Sequence, residues 1–75
     1  MTETLDVRGL QCPLPVLKAR KRMGSLAPGA LLTVLATDPA ARIDFPHYCD
    51  TSGHELVEQR EEGETLVFVL RCVKD

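Results

Sequence analysis

The segment Cys12-Pro13-Leu14-Pro15 has the clearest capacity for chemistry in this 75-residue chain. Proline is tolerated in the first turn of a helix, where a backbone N–H has no intrahelical acceptor anyway, so Pro13 and Pro15 mark a helix start and not a break. Cys12 then falls at or beside the N-cap, where the partial positive charge and unpaired amides of the helix end favour a sulfur anion over a neutral thiol. The two prolines also remove two amide donors and leave the remaining ones for the sulfur. Cys12 is therefore the candidate nucleophile. The plainer alternative is a small buried hydrophobe that precedes a proline-started helix.

The other thiols are weaker candidates. Cys12, Cys49 and Cys72 are odd in number and widely spaced, which argues against a disulfide framework and suits a reducing compartment. The absence of a Cys-x-x-Cys pair speaks against a zinc ribbon and against a thioredoxin-type dithiol. His47 and His54 flank Cys49, but histidines near a loop are more commonly solvated, so no metal centre is expected. Cys72 is expected to be structural.

Arg8, close before the motif, is a possible second positive charge near the sulfur, or simply a solvated side chain. Lys18, Arg20, Lys21 and Arg22 cluster toward the end of the same predicted helix, and Lys18, Lys21 and Arg22 share one face. That face is either a docking surface for an acidic partner or a solvated surface that complements the helix dipole.

These residues need elements to position them. Leu5 to Val7 reads as a strand, with Arg8-Gly9-Leu10 turning into a helix from Pro13 to about Met23, whose apolar side is Leu14, Val16, Leu17, Ala19 and Met23. Gly24 is its expected stop. Pro28-Gly29 delivers the chain into Ala30–Ala36, an apolar run expected as a central strand, parallel to the first through a right-handed crossover. Asp38 and Pro39 suit the N-cap and first position of a second helix. Pro46 is expected to kink or restart that helix after Ile43 or Asp44. Glu55–Arg60 and Glu64–Cys72 read as an antiparallel hairpin turning at Glu61-Glu62-Gly63. The fold class is α+β: a two-layer sandwich of order β-α-β-α-β-β, with two helices on one face of a mixed four-stranded sheet.

Seventy-five residues allow one domain, 1–75, with a modest core, too small to enclose a deep substrate cavity or hold a large cofactor alone. The net charge of −2 is mild, and no stretch approaches the apolar length that spans a membrane. Met1-Thr2-Glu3-Thr4 lacks the basic start and apolar stretch of a secretory signal, so a cytoplasmic location without direct membrane contact is expected.

Leu5-Asp6 through Cys12-Pro13-Leu14-Pro15, then Pro28-Gly29, Asp38-Pro39-Ala40, Phe45-Pro46 through Cys49, and His54-Glu55-Leu56 together resemble the TusA/SirA-like sulfur carriers. The resemblance covers nearly the whole chain. It implies a fold similar to the C-terminal domain of bacterial translation initiation factor three, and a persulfide formed on Cys12. Such carriers accept sulfane sulfur from a cysteine desulfurase or a rhodanese and hand it to a downstream sulfur-relay protein. Known destinations are tRNA thiolation, molybdenum-enzyme sulfur supply and dissimilatory sulfur metabolism. No metal or nucleotide cofactor is implied. Many members carry a cysteine where Cys49 stands, which raises the prospect of a resolving thiol. Leu14 departs from the charged or polar residue often found between the two prolines, and it makes the expected surface around the thiol more apolar.

Two other functions compete. An RNA- or protein-binding regulatory module is suggested by the basic helix and the fold resemblance. The acidic net charge and the presence of only Phe45, Tyr48 and Phe68 as aromatic platforms argue against nucleic acid. A dithiol redox protein using Cys12 and Cys49 is the third reading.

Overall fold

A computed structural model describes residues 2–73 of the chain, so the expected 1–75 span reaches past the described residues at both ends. The elements follow in the order β1 (Thr2–Asp6), α1 (Leu14–Met23), β2 (Leu31–Ala36), α2 (Ala41–Ser52), β3 (Glu55–Glu62) and β4 (Thr65–Arg71). The four strands form one sheet in the order β1-β2-β4-β3. β1 pairs parallel with β2, and the other two pairings are antiparallel. This is the expected mixed sheet, with the apolar β2 inside it.

Alternation within the strands sets the layers. Leu32, Val34 and Ala36 of β2 and Leu66, Phe68 and Leu70 of β4 turn to one face, where they are buried with Ala19 and Met23 of α1 and Phe45 and Cys49 of α2. The Phe45 and Phe68 rings stack at 4.7 Å between centroids, tying α2 to the middle of the sheet. On the other face, Arg60 of β3 stands opposite the buried Val67 and is ion-paired to both Glu58 and Glu62. This charged ladder covers apolar β4 and also occupies an edge strand.

Several local expectations need correcting. The turn of the hairpin is Gly63-Glu64, because Glu61 and Glu62 continue β3 and pair with Leu66 and Thr65. Gly63 takes φ +63°, a conformation that suits a tight turn closed by glycine. Helix α2 is also continuous: Pro46 lies inside it, and no restart occurs. An interior proline removes one backbone hydrogen bond and costs roughly 3 kcal/mol. Burial of Ala41, Phe45 and Cys49 along one stripe, on both sides of Pro46, offsets that cost because breaking the helix would pull the stripe off the sheet. Gly53, in the left-handed region at φ +85°, ends the helix with its amide bonded to the Cys49 carbonyl.

The face of α1 differs from the expected one as well. Its buried residues are Pro15, Ala19 and Met23, with Val16 partly covered, whereas Leu14 and Leu17 are 46% and 48% exposed. Two of the residues expected in the core are therefore on the surface beside the motif cysteine. Gly24 follows the helix but keeps a right-handed conformation, so the chain turns on through Ser25 and Leu26 before it leaves.

Candidate functional site around Cys12

Cys12 is exposed at the entrance to α1, one residue before the Pro13 N-cap, and the Cys12–Pro13 peptide is cis. The approach is fixed by two turns. Gly9, at φ +83°, closes the first, in which the Leu10 amide bonds to the Val7 carbonyl, and the Gly9 amide bonds to Thr37 Oγ1 at 2.9 Å. The Leu14 amide bonds back to the Gln11 carbonyl at 2.9 Å.

Those bonds decide which donors remain for a sulfur anion. Pro13 and Pro15 have no N–H, Leu14 is spent on Gln11, and Leu17 bonds to the Pro13 carbonyl. The Val16 amide is the one left in this turn with no acceptor among the described residues. Val16 also lines the groove that contains the thiol.

Asp38 links the two helix entrances. Its Oδ2 accepts the Cys12 amide at 2.5 Å and its Oδ1 accepts the Ala40 amide at 3.0 Å. It is therefore not the cap of α2 itself, whose N-cap is Ala40; it holds the turn before that helix and pins Cys12 to it. Accepting these amides lowers the Asp38 carboxyl below its usual range. A depressed value in the folded state means stabilisation that is present above the unfolded value and lost as pH falls through the folded one. Asp38→Asn should lower the thermal midpoint at pH 7, and the gap from the parent should begin to narrow as pH falls below the ordinary aspartate value of about 4 and close only below the depressed folded value, where Asp38 is protonated. A gap unchanged from pH 7 to pH 3 in thermal melts would contradict this.

The thiol opens onto a groove of about 250 Å³ between the helices, lined from α1 and its entrance by Cys12, Pro13, Val16, Leu17 and Arg20, and from α2 by Asp44, His47, Tyr48 and Thr51. Exposed Leu14 borders the thiol in sequence, and Ile43, 74% exposed, precedes Asp44. Hydrogen bonding to Asp44, then loss of hydration, then the negative charges of Asp44 and Asp38 push the Cys12 thiol above its usual value.

The remaining sequence candidates fall elsewhere. Arg8 clasps Asp6 with both carboxylate oxygens, at 2.9 and 2.8 Å, and this pairing holds the Asp6 carboxyl down to about 2. Arg8's charge is engaged there and is not among the influences on Cys12. Lys18, Lys21 and Arg22 share a separate groove with Leu5 and Ser25, and Arg22 is paired to Glu3 at 2.6 Å. The fourth cation of that cluster, Arg20, is the one on the Cys12 groove. Cys49 is buried in the core, and its burial pushes the thiol up to about 11. Cys72 is buried with its sulfur 3.6 Å from the Leu26 carbonyl, and all three cysteines are free thiols. His54 accepts the Val73 amide through Nδ1, and its ring lies 5.9 Å from that of Tyr48. Among the described residues no three His, Cys, Asp or Glu side chains gather as a metal site.

Sequence reasoning counted Arg20 only in the basic cluster and His47 only as a metal ligand to be discounted, and it missed Asp44, Tyr48 and Thr51 as walls of the groove. The signal was present: Pro13, Val16, Leu17 and Arg20 follow helical spacing, as do Asp44, His47, Tyr48 and Thr51. The second set is visible only if the helix runs through Pro46.

Comparison with known structures shows the fold first. The fold is shared with the SirA-like protein of Desulfitobacterium hafniense, at a TM-score of 0.84 and 23% identity, covering 96% of this chain and 99% of the other. Residues 3–72 match the family described as Sulfurtransferase TusA. The sulfur carrier protein TusA of Pseudomonas paraeruginosa is 51% identical over 71 residues, which are 95% of this chain and 90% of that protein. A protein of the same name from Pseudomonas putida is 46% identical over 95% of this chain and 89% of its own length. The chain belongs to the TusA sulfurtransferase family. Among the described residues no helix is long and apolar enough to cross a membrane.

Proposed function

We propose that this protein is a sulfur carrier that receives sulfane sulfur as a persulfide on Cys12 and passes it to an acceptor protein. The carrying observation is an exposed thiol at the mouth of the groove between α1 and α2, in a chain half identical to proteins named sulfur carriers. The other two thiols are buried.

In the loading step the Cys12 thiolate attacks the terminal sulfur of a donor persulfide. The donor's S–S bond breaks, its electron pair leaves on the donor cysteine, and Cys12 gains the outer sulfur. An acceptor thiolate reverses the step at Cys12. The exchange needs no external oxidant or reductant. Pro13 and Pro15 shape the helix entrance, and the free Val16 amide and the α1 end stabilise the persulfide anion, which is more acidic than a thiol.

The donor class is a cysteine desulfurase or a rhodanese and the acceptor a downstream relay protein, in the cytoplasm. Exposed Leu14 and Leu17 give the thiol an apolar border for either partner. Lys18 and Lys21, unpaired among the described residues, provide with Arg22 a cationic flank suited to an acidic partner surface.

Incubation with a cysteine desulfurase and cysteine should add one sulfur, about 32 mass units, removable by reductant. Failure with both donor classes would reject the carrier function and leave a binding module. Cys49→Ala should load as fully as the parent in the same assay, because the Cys49 thiol is buried and protonated. Loss of loading in that variant would instead give Cys49 a part in the transfer.

A further inference from the structure

The sheet has two edges, and they are guarded unequally. At one edge, β3 carries a bulge between Leu56 and Glu58, and its Arg60 is ion-paired to Glu58 and Glu62. Both devices discourage the pairing of another strand. At the other edge, β1 has neither. It pairs with β2 residue for residue from Thr2 to Asp6, and that stretch contains no lysine or proline. The Val7 amide reaches the Leu35 carbonyl at 2.8 Å, so the two-residue alternation of the strand turns the backbone groups of Leu5 and Glu3 toward β2 and those of Thr4 and Asp6 outward.

A furrow runs beside this open edge, under α1. A hollow of about 330 Å³ is lined by Leu5, Lys18, Lys21, Arg22 and Ser25, and another of about 240 Å³ continues from Ser25 toward Leu26 and Ala30. The ion pair of Arg22 with Glu3, at 2.6 Å, ties the helix to β1 here. Lys18 and Lys21 are exposed and form no ion pair among the described residues. The chain as a whole carries a net charge of −2, so this cationic lip is a local feature.

We propose that β1 takes up an extended acidic segment of a partner protein as a fifth strand of the sheet, with carboxylates at alternate positions over Lys18 and Lys21. Thr4 and Asp6 exchange N–H···O=C bonds with the incoming backbone, and every second side chain of that segment lies above the furrow. Outward carbonyls as well as amides select a peptide backbone over a phosphate, which only accepts. A second copy of this chain is a poorer occupant, because the acids of its own β1 are taken: Glu3 by Arg22 and Asp6 by Arg8. The furrow lies along the β1 side of α1 and the Cys12 groove along the α2 side, so a segment anchored on β1 leaves the thiol open to the same partner. This gives the cationic flank a defined binding mode. Its test uses no sulfur, so its failure leaves persulfide loading on Cys12 untouched.

The test is a nuclear magnetic resonance titration of the full chain with the end-blocked peptide Thr-Glu-Val-Glu-Val-Glu-Thr and with the same peptide carrying glutamine for each glutamate. The acidic peptide should shift the Thr4 and Asp6 amides together with the Lys18 and Lys21 signals, and should slow hydrogen exchange at Thr4 and Asp6. Lys18→Gln combined with Lys21→Gln removes two exposed ion pairs and should weaken binding about two- to thirtyfold at low salt. Thr4→Pro deletes an outward amide, spares the pairing with β2 and should lose the peptide. Shifts confined to Lys18 and Lys21, with exchange at Thr4 and Asp6 unchanged, would overturn the proposal. So would equal binding of the two peptides, or sedimentation of the chain alone as a dimer that Thr4→Pro breaks. Should Thr4→Pro fail to fold, exchange in the parent decides: slowing at Thr4 and Asp6 supports the added strand, and no slowing refutes it.

Discussion

Phe45→Ala is expected to leave the protein largely unfolded at physiological temperature. Phe45 is fully buried, stacks on Phe68 at 4.7 Å, and is the largest fully buried side chain of α2. Removing a buried phenyl ring costs about 3–5 kcal/mol, part of it lost transfer energy and part the cavity left behind. A chain of 75 residues has a total stability of roughly 4–11 kcal/mol. The loss therefore takes much or all of what is available. The site goes with it, since Asp44 precedes Phe45 and the α2 wall of the groove hangs from that contact. Urea denaturation monitored by circular dichroism measures the effect; a midpoint within a few tenths molar of the parent would show that α2 is held by something other than Phe45.

Cys12→Ser should fold like the parent and gain no sulfur from any donor. The side chain is exposed, and the backbone bond that pins the residue, from its amide to Asp38, does not involve the sulfur. A serine hydroxyl is not ionised at neutral pH and its hard oxygen is a poor nucleophile toward a sulfane sulfur, so attack falls to background. The same variant separates a carrier from a binding module: any RNA or protein binding that depends only on the fold and on Lys18, Lys21 and Arg22 should persist in it. Thermal midpoints and sulfur uptake measured on one preparation test both halves. Normal uptake by Cys12→Ser would move the chemistry to another residue.

Much of this architecture was legible in the sequence because short segments state their period plainly. The alternation in Leu31–Ala36 and Thr65–Arg71, the glycines at the turns and the prolines at the start of α1 all point to one arrangement. What was not legible came from long-range contacts. Pro46 reads locally as a break, and only the packing of Phe45 and Cys49 on a sheet strand that lies later in the chain keeps the helix whole. Leu14 and Leu17 read as core for the same reason in reverse: apolar character says nothing about which side of α1 meets the sheet, and Pro15 takes the buried place.

The site divides similarly. Cys12 was identifiable from the motif alone, but its electrostatic surroundings were not. Asp38 and Asp44 lie 26 and 32 positions further along the chain and reach the thiol only through the fold. The single cation visible nearby in sequence, Arg8, turned out to be taken by Asp6, two residues before it.

The central claim is that one particular sulfur atom carries the cargo, and the most direct measurement is to locate it. After loading with a cysteine desulfurase, free thiols and persulfides are alkylated under native conditions and the protein is digested and sequenced by mass spectrometry. The expected result is a single modified peptide, spanning Cys12-Pro13-Leu14-Pro15, that carries the extra sulfur, with the Cys49 and Cys72 peptides unmodified. An extra sulfur on Cys49 or Cys72, or none on the Cys12 peptide when the intact mass has risen, would contradict it.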